Sequence, residues 1–150
     1  MTSGREVARA LRAAYLALHR QTNACFARDG VTADQFVLLA ALAEADAVTQ
    51  QQLVRRVGSD PNTVRAMLLL LEGRGLVARG PHPADGRARR VTLTAKGRQQ
   101  FQKLWARSEP LRAQLLSAFQ PDEVTALVGL LRRVADVLAP SASNDRRCTG

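Results

Sequence analysis

The stretch from Asp60 to Thr94 leaves this chain few choices. It reads as one helix followed by a two-stranded ribbon. Asp60 is a good helix cap, and Pro61 suits the first turn, where its missing N–H costs nothing. Val64, Met67, Leu68 and Leu71 recur at three- and four-residue spacing, so one face of the helix belongs to a core. Gly75 supplies a left-handed stop, and Leu76 packs back on the last turn. That leaves Asn62, Thr63, Arg65 and Ala66 on the outward side near the helix start. Small polar and basic side chains there are what reading a DNA major groove requires.

The ribbon begins at Leu76-Val77-Ala78-Arg79. Gly80-Pro81-His82-Pro83-Ala84-Asp85-Gly86 cannot continue a central strand and is expected to be a loop. From Arg89 to Leu93, Arg90 and Thr92 alternate with Val91 and Leu93, the pattern of a half-buried strand. Arg87 lies near the loop tip, suited to a narrow minor groove, and Asp85 is placed to orient its guanidinium by a bidentate pair.

Charge reinforces the reading. Net charge is +9. Residues 1–54 balance five Arg against five acids, whereas residues 55–98 hold ten cations against three acids and residues 99–150 seven against five. The positive field therefore sits on the helix and ribbon, as a phosphate-binding face demands, and solubility alone does not need such clustering.

Upstream, residues 5–28 read as a long helix with Val7, Leu11, Ala14, Leu18 and Cys25 on a near-heptad stripe, ended by Asp29-Gly30. Thr32 with Gln35, and Thr49 with Gln52, are spaced as capping boxes for two further helices. The first carries Phe36, Leu39, Ala40 and Ala43 on one face; the second carries Leu53, Val54 and Val57. Gly58-Ser59 then turns directly into the Asp60 helix, giving a helix-turn-helix. Downstream, Thr94 caps a helix expected to reach about residue 118, with Phe101, Leu104, Trp105, Leu111, Leu115 and Ala118 on its seam. Pro110 requires a kink or break near Ser108. A last helix is expected over 121–138, with Val124, Leu127, Val128, Leu131, Val134 and Leu138 as its stripe. Residues 140–150 have the composition of a disordered tail.

The expected fold is mainly α with a small β wing: a winged helix-turn-helix with N- and C-terminal dimerisation helices. Residues 1–30 form the N-terminal dimerisation helix, 31–94 the DNA-binding lobe, and 95–139 the C-terminal dimerisation helices. A symmetric dimer would bury the terminal seams and set two recognition helices about 34 Å apart, one turn of DNA. At 150 residues with 46% hydrophobic content, the chain is long and apolar enough for a real core. No apolar run approaches a membrane span, no secretory signal is visible, and Cys25 and Cys148 are too few for a disulfide framework; a reducing cytoplasm is expected. Two His, no acid pair at catalytic spacing, no phosphate-cradling Gly loop and no nucleophile elbow argue against an enzyme, and no cofactor or metal is expected.

Leu71-Glu72-Gly73-Arg74-Gly75-Leu76-Val77, then Asp85-Gly86-Arg87 followed by Leu93-Thr94-Ala95-Lys96-Gly97, resemble the MarR family of winged-helix transcriptional regulators. Gln120-Pro121-Asp122-Glu123-Val124 is similar to the start of that family's last helix. The resemblance covers about residues 5–138. It implies a homodimer on palindromic double-stranded DNA, usually a repressor, often released by a small phenolic or lipophilic ligand. Recognition-helix contacts then fall to Pro61, Asn62, Thr63, Arg65 and Ala66, and wing contacts to Asp85, Arg87, Arg89 and Arg90. The chain departs from the family pattern at Leu69-Leu70, where polar residues are usual, at Ala66, often Arg, and at Gln120, a poorer cap than Ser.

Tyr15, His19, Asn23, Phe36 and Trp105 are the candidates for an effector pocket, although Phe36 and Trp105 equally suit a core and His19 a helix surface. Cys25 is the candidate for a thiol-redox switch, against ordinary packing on an apolar stripe. A constitutive DNA binder and a winged-helix protein-interaction module remain as alternatives. The second would not need Arg at both the wing tip and the recognition-helix start.

Overall fold

Local hydrogen bonds near each helix start decide most of this architecture. A computed structural model describes residues 1–45, 47–81 and 89–139. Helix α1 (Gly4–Phe26) opens with Ser3 and Glu6 in a reciprocal capping box and runs into a 3₁₀ turn ended by Gly30 at φ 65°. The expected boxes at Thr32/Gln35 and Thr49/Gln52 start α2 (Ala33–Ala43) and α3 (Gln50–Val57). Helix α4 (Pro61–Gly73) starts at Asp60, and Gly75 at φ 73° makes the left-handed stop that a Cβ would strain.

A ribbon of β2 (Val77–Pro81) and β3 (Arg89–Leu93) follows, but the sheet has a third strand. The short β1 (Val48–Thr49), just before α3, pairs antiparallel with β3 and makes it the central strand. A strand of two residues carries no readable alternation, so the sequence pattern shows only the two ribbon strands. Strand β2 also runs further than expected, through Gly80 and Pro81, which pair with Arg90 and Arg89. Proline is tolerated there because β2 is an edge strand. The rest of the expected loop, 82–88, lies outside the described residues, as does the expected tail at 140–150.

Thr94 fastens the sheet to α5 (Ala95–Arg107). Its N–H donates to the Leu76 carbonyl at 3.1 Å, its hydroxyl donates to Gly75 O at 2.6 Å, and the same oxygen accepts the Gly97 N–H at 3.0 Å. At Gly97 the chains pass so closely that a Cβ would lie 1.9 Å from the Leu76 carbonyl oxygen. The expected interruption before Pro110 is a clean break: α5 ends at Arg107 and α6 (Glu109–Ser117) follows Ser108. Helix α7 spans Pro121–Leu138, with the Glu123 carboxylate accepting the Gln120 N–H at 2.9 Å.

Phe26, Leu38, Leu39, Leu42, Leu53, Val64, Leu68, Leu71, Val91 and Leu104 form the fully buried heart of the core. Helix α2 packs against α1, α3, α5 and β3, so its buried face runs through Gln35, Leu38, Leu39 and Leu42. Phe36, Ala40 and Ala43, expected with Leu39 as its core face, are only half-buried. Arg74 ties the end of α4 to the turn after α1, donating to Gly30 O at 2.8 Å and Asp29 O at 3.2 Å. The Asp29 carboxylate, 3% exposed, lies between Arg107 Nε at 3.2 Å and Lys103 Nζ at 3.6 Å. Two compact units divide the chain, Met1–Leu111 and from Arg112 onward, so by compactness α1 and α5 fold with the winged lobe.

Candidate nucleic-acid interface

The cap of α4 shapes the first part of the site. The Asp60 carboxylate accepts the Thr63 N–H at 3.0 Å and also the Thr63 hydroxyl. These bonds, the hydroxyl's foremost, hold Asp60 below its usual carboxylate range. The Thr63 side chain is thereby committed to the cap, while Pro61, Asn62, Arg65 and Ala66 stand exposed around it. Val64, Leu68 and Leu71 are fully buried and hold this end of the helix at a fixed height above the core.

The wing supplies the second part through strand alternation. Val77, Val91 and Leu93 face the core, and Arg79 pairs directly with Val91, so it shares that face; Arg89, two residues before Val91, does too. Beyond the end of the core this face carries the two arginines toward α4. They meet Arg65 and Gln50, the first residue of α3, around a concavity of about 430 Å³. Arg79 is oriented by an ion pair from Nε to Glu72 Oε2 at 2.5 Å. Arg65 and Arg89 make no ion pair with a described residue. Three guanidiniums and an amide around one hollow form a cationic cradle of phosphate chemistry.

The structure thus joins Arg65 to Arg89 but not to Arg90, which points to the opposite sheet face and is half-buried. Asp85 and Arg87 lie outside the described residues. Sequence reasoning missed Gln50 and Arg79. Arg79 was legible as one residue of the ribbon, and its i, i+2 spacing from Val77 would have placed it on the inner face; Gln50 carried no signal beyond its neighbouring cap.

The candidate effector residues fall into separate local roles. Tyr15 Oη lies 3.5 Å from His19 Nδ1, which is 3.9 Å from Asp34 Oδ1 across the α1–α2 contact. Asn23 Oδ1 accepts the Ala33 N–H at 2.7 Å, so Asn23 helps to start α2. Phe36 stacks between Phe26 and Phe101, with centroids 4.7 and 5.7 Å away, and Phe101 leads on to Trp105 at 6.0 Å. Trp105 is 48% exposed. The half-buried Cys25 thiol donates to the Arg107 carbonyl at 3.4 Å. Among the described residues no group of three His, Cys, Asp or Glu is placed to hold a metal, and no helix is long and apolar enough to cross a membrane.

Comparison with known proteins gives the same picture. A family model described as MarR family matches residues 29–88. An HTH-type transcriptional regulator of Bacillus subtilis, YdgJ, is 30% identical over 105 residues, which is 70% of this chain and 64% of that protein. Among solved structures, Bordetella bronchiseptica BpsR, described in the regulation of its DNA binding by 6-hydroxynicotinic acid, is 31% identical with a TM-score of 0.79. That likeness covers 91% of this chain and 97% of BpsR. A mutant of Escherichia coli MarR in complex with operator DNA is 27% identical with a TM-score of 0.77, covering 85% of this chain and 92% of that one. The three-stranded wing on a capped recognition helix, the wing signature ending at Gly97 and these likenesses lead to one conclusion: the chain belongs to the MarR family of winged-helix transcriptional regulators.

Proposed function

We propose that this protein is a homodimer that binds a palindromic double-stranded DNA operator and represses transcription until a small lipophilic or phenolic ligand releases it. The observation that carries the reading is the cradle of Gln50, Arg65, Arg79 and Arg89 beside the exposed start of α4. A helix N-terminus carrying Asn62 and Arg65 suits a major groove, and the cradle suits the phosphates along its edge. Wing residues Asp85 and Arg87 extend the proposed contact into the adjacent minor groove. Guanidiniums beside an exposed helix start that carries Asn62 and Arg65 suit phosphates flanking a groove, which favours nucleic acid over a protein partner.

The dimer is supported by unpaired apolar surface. Val7 and Leu18 on α1, and Val128, Leu130 and Leu131 on α7, are exposed in the single chain. A second copy would cover them and place two recognition helices on successive turns of one duplex face. The ligand part rests on the kinship with BpsR and on the Tyr15, His19 and Trp105 side chains at the surface of the lobe. Ligand and DNA then favour different separations of the two recognition helices.

A gel-shift titration against duplex selected by the purified protein tests the reading. Arg65→Ala and Arg89→Ala are each expected to weaken binding about tenfold, with the log–log salt slope smaller by about one per lost phosphate contact. Wild-type affinity in both variants would reject this face. Adding 6-hydroxynicotinic acid or simple phenolic acids to the complex is expected to free the duplex; a complex indifferent to all of them would point to a constitutive binder.

A further inference from the structure

The outward face of α4 is not polar throughout. At 100° per residue, Asn62, Ala66 and Leu69 lie opposite the buried line of Val64, Leu68 and Leu71, with Arg65 on one flank and Leu70 on the other. Leu69 is 49% exposed and Leu70 59%. Two neighbouring leucines on the solvent side of a helix whose core stripe is already complete leave about half of their apolar surface uncovered. Ala66, one turn earlier, adds no bulk, so the patch can approach a surface closely.

We propose that Ala66, Leu69 and Leu70 form an apolar reading surface for the C5-methyl groups of thymine in the major groove, a role that rests on the DNA-binding reading above. The patch is continuous with the basic flank at Arg65, and Glu72, the one acid on this helix, is neutralised by Arg79. An aliphatic patch bordered by Arg65, which makes no ion pair with a described residue, fits an anionic partner that offers isolated apolar groups. In the major groove the thymine methyl is that group, and alanine and other apolar side chains are its usual contacts. Polar contacts from Asn62 and Arg65 then fix the neighbouring bases, and the leucines select thymine beside them.

The test uses the full chain and duplexes in which each thymine of a selected half-site is replaced, in both half-sites, by deoxyuridine, which removes the methyl and keeps every hydrogen bond. At one or two positions wild-type affinity is expected to fall about fourfold per methyl group, so about fifteenfold for the symmetric pair. Leu69→Ser with Leu70→Ser is expected to lower the thymine-to-uracil ratio severalfold, with Ala66 keeping what remains. Both leucines are exposed, so the variant keeps its core, and an unchanged thermal midpoint verifies that. A wild-type ratio of one at every position, with the operator still bound, overturns the inference while leaving the DNA-binding reading intact. A variant that changes oligomeric state without changing the ratio assigns the patch to a protein contact and overturns it too. Failure of the wild-type chain to retard any duplex overturns both.

Discussion

Helices α4 and α7 are both amphipathic, yet they end up in opposite conditions. Helix α4 buries Val64, Leu68 and Leu71 completely against the rest of its unit, packing on α3 and β2. Helix α7, at 18 residues the longer, buries none: Val124, Leu127 and Val134 are half-covered, and Val128, Leu131 and Leu138 lie open. The difference teaches that a stripe at helical spacing states the need for a partner and not where the partner is. For α4 the partner is folded from the same unit. For α7, on the homodimer reading, it is a second copy of the chain.

The sharpest way to break the comparison is to destroy the first unit without touching the second. Gly97→Ala forces a Cβ against the Leu76 carbonyl oxygen, which is backbone and cannot rotate away. A stability loss of about 3 kcal/mol or failure to fold is expected, read by urea denaturation. A near-normal midpoint would mean that the α5 start is not locked to the wing. The converse change is Leu127→Glu with Leu131→Glu on α7. Self-association is expected to weaken at least about a hundredfold by sedimentation, since each copy loses two apolar contacts and gains two charges. The Met1–Leu111 unit should melt within about 0.5 kcal/mol of its parent, because these substitutions lie outside it. A dimer that survives would remove α7 from the interface.

The smallest expected effect sharpens how α4 is held. Asp60 has a folded-state pKa below its unfolded value, so its contribution to stability is present above the ordinary carboxylate range and is lost as pH falls through the folded value, below about pH 4. Asp60→Ala should therefore lower the thermal midpoint slightly at pH 7, and the gap to wild type should narrow as the pH falls below the ordinary carboxylate range. A gap constant across that window would show that the carboxylate charge is irrelevant to the cap.

Much of the fold was open to reading because its signals are short-ranged. Thr32 with Gln35 and Thr49 with Gln52 satisfy each other's backbone three residues apart, and Pro110 removes a donor that a helix unbroken through Ser108 would need, so each sets a boundary without help from the rest of the chain. The recognition helix, its buried stripe and its exposed start belong to the same class. The site was legible only in part. Arg65 and Arg89 were visible as basic residues on the right elements, whereas their meeting with Arg79 and Gln50 was not, nor the turning away of Arg90.

What the amino-acid order determined by itself, then, is where helices start and stop and which faces seek cover, since those follow from hydrogen bonds and spacings spanning a turn or two. Tertiary structure alone decided the third strand at Val48–Thr49, the use of Asn23 to start α2, the Cys25 thiol on a carbonyl 82 residues away, and the cradle beside α4. Each joins segments whose separation in the chain carries no local periodicity or cap, so only the packed core brings them within reach.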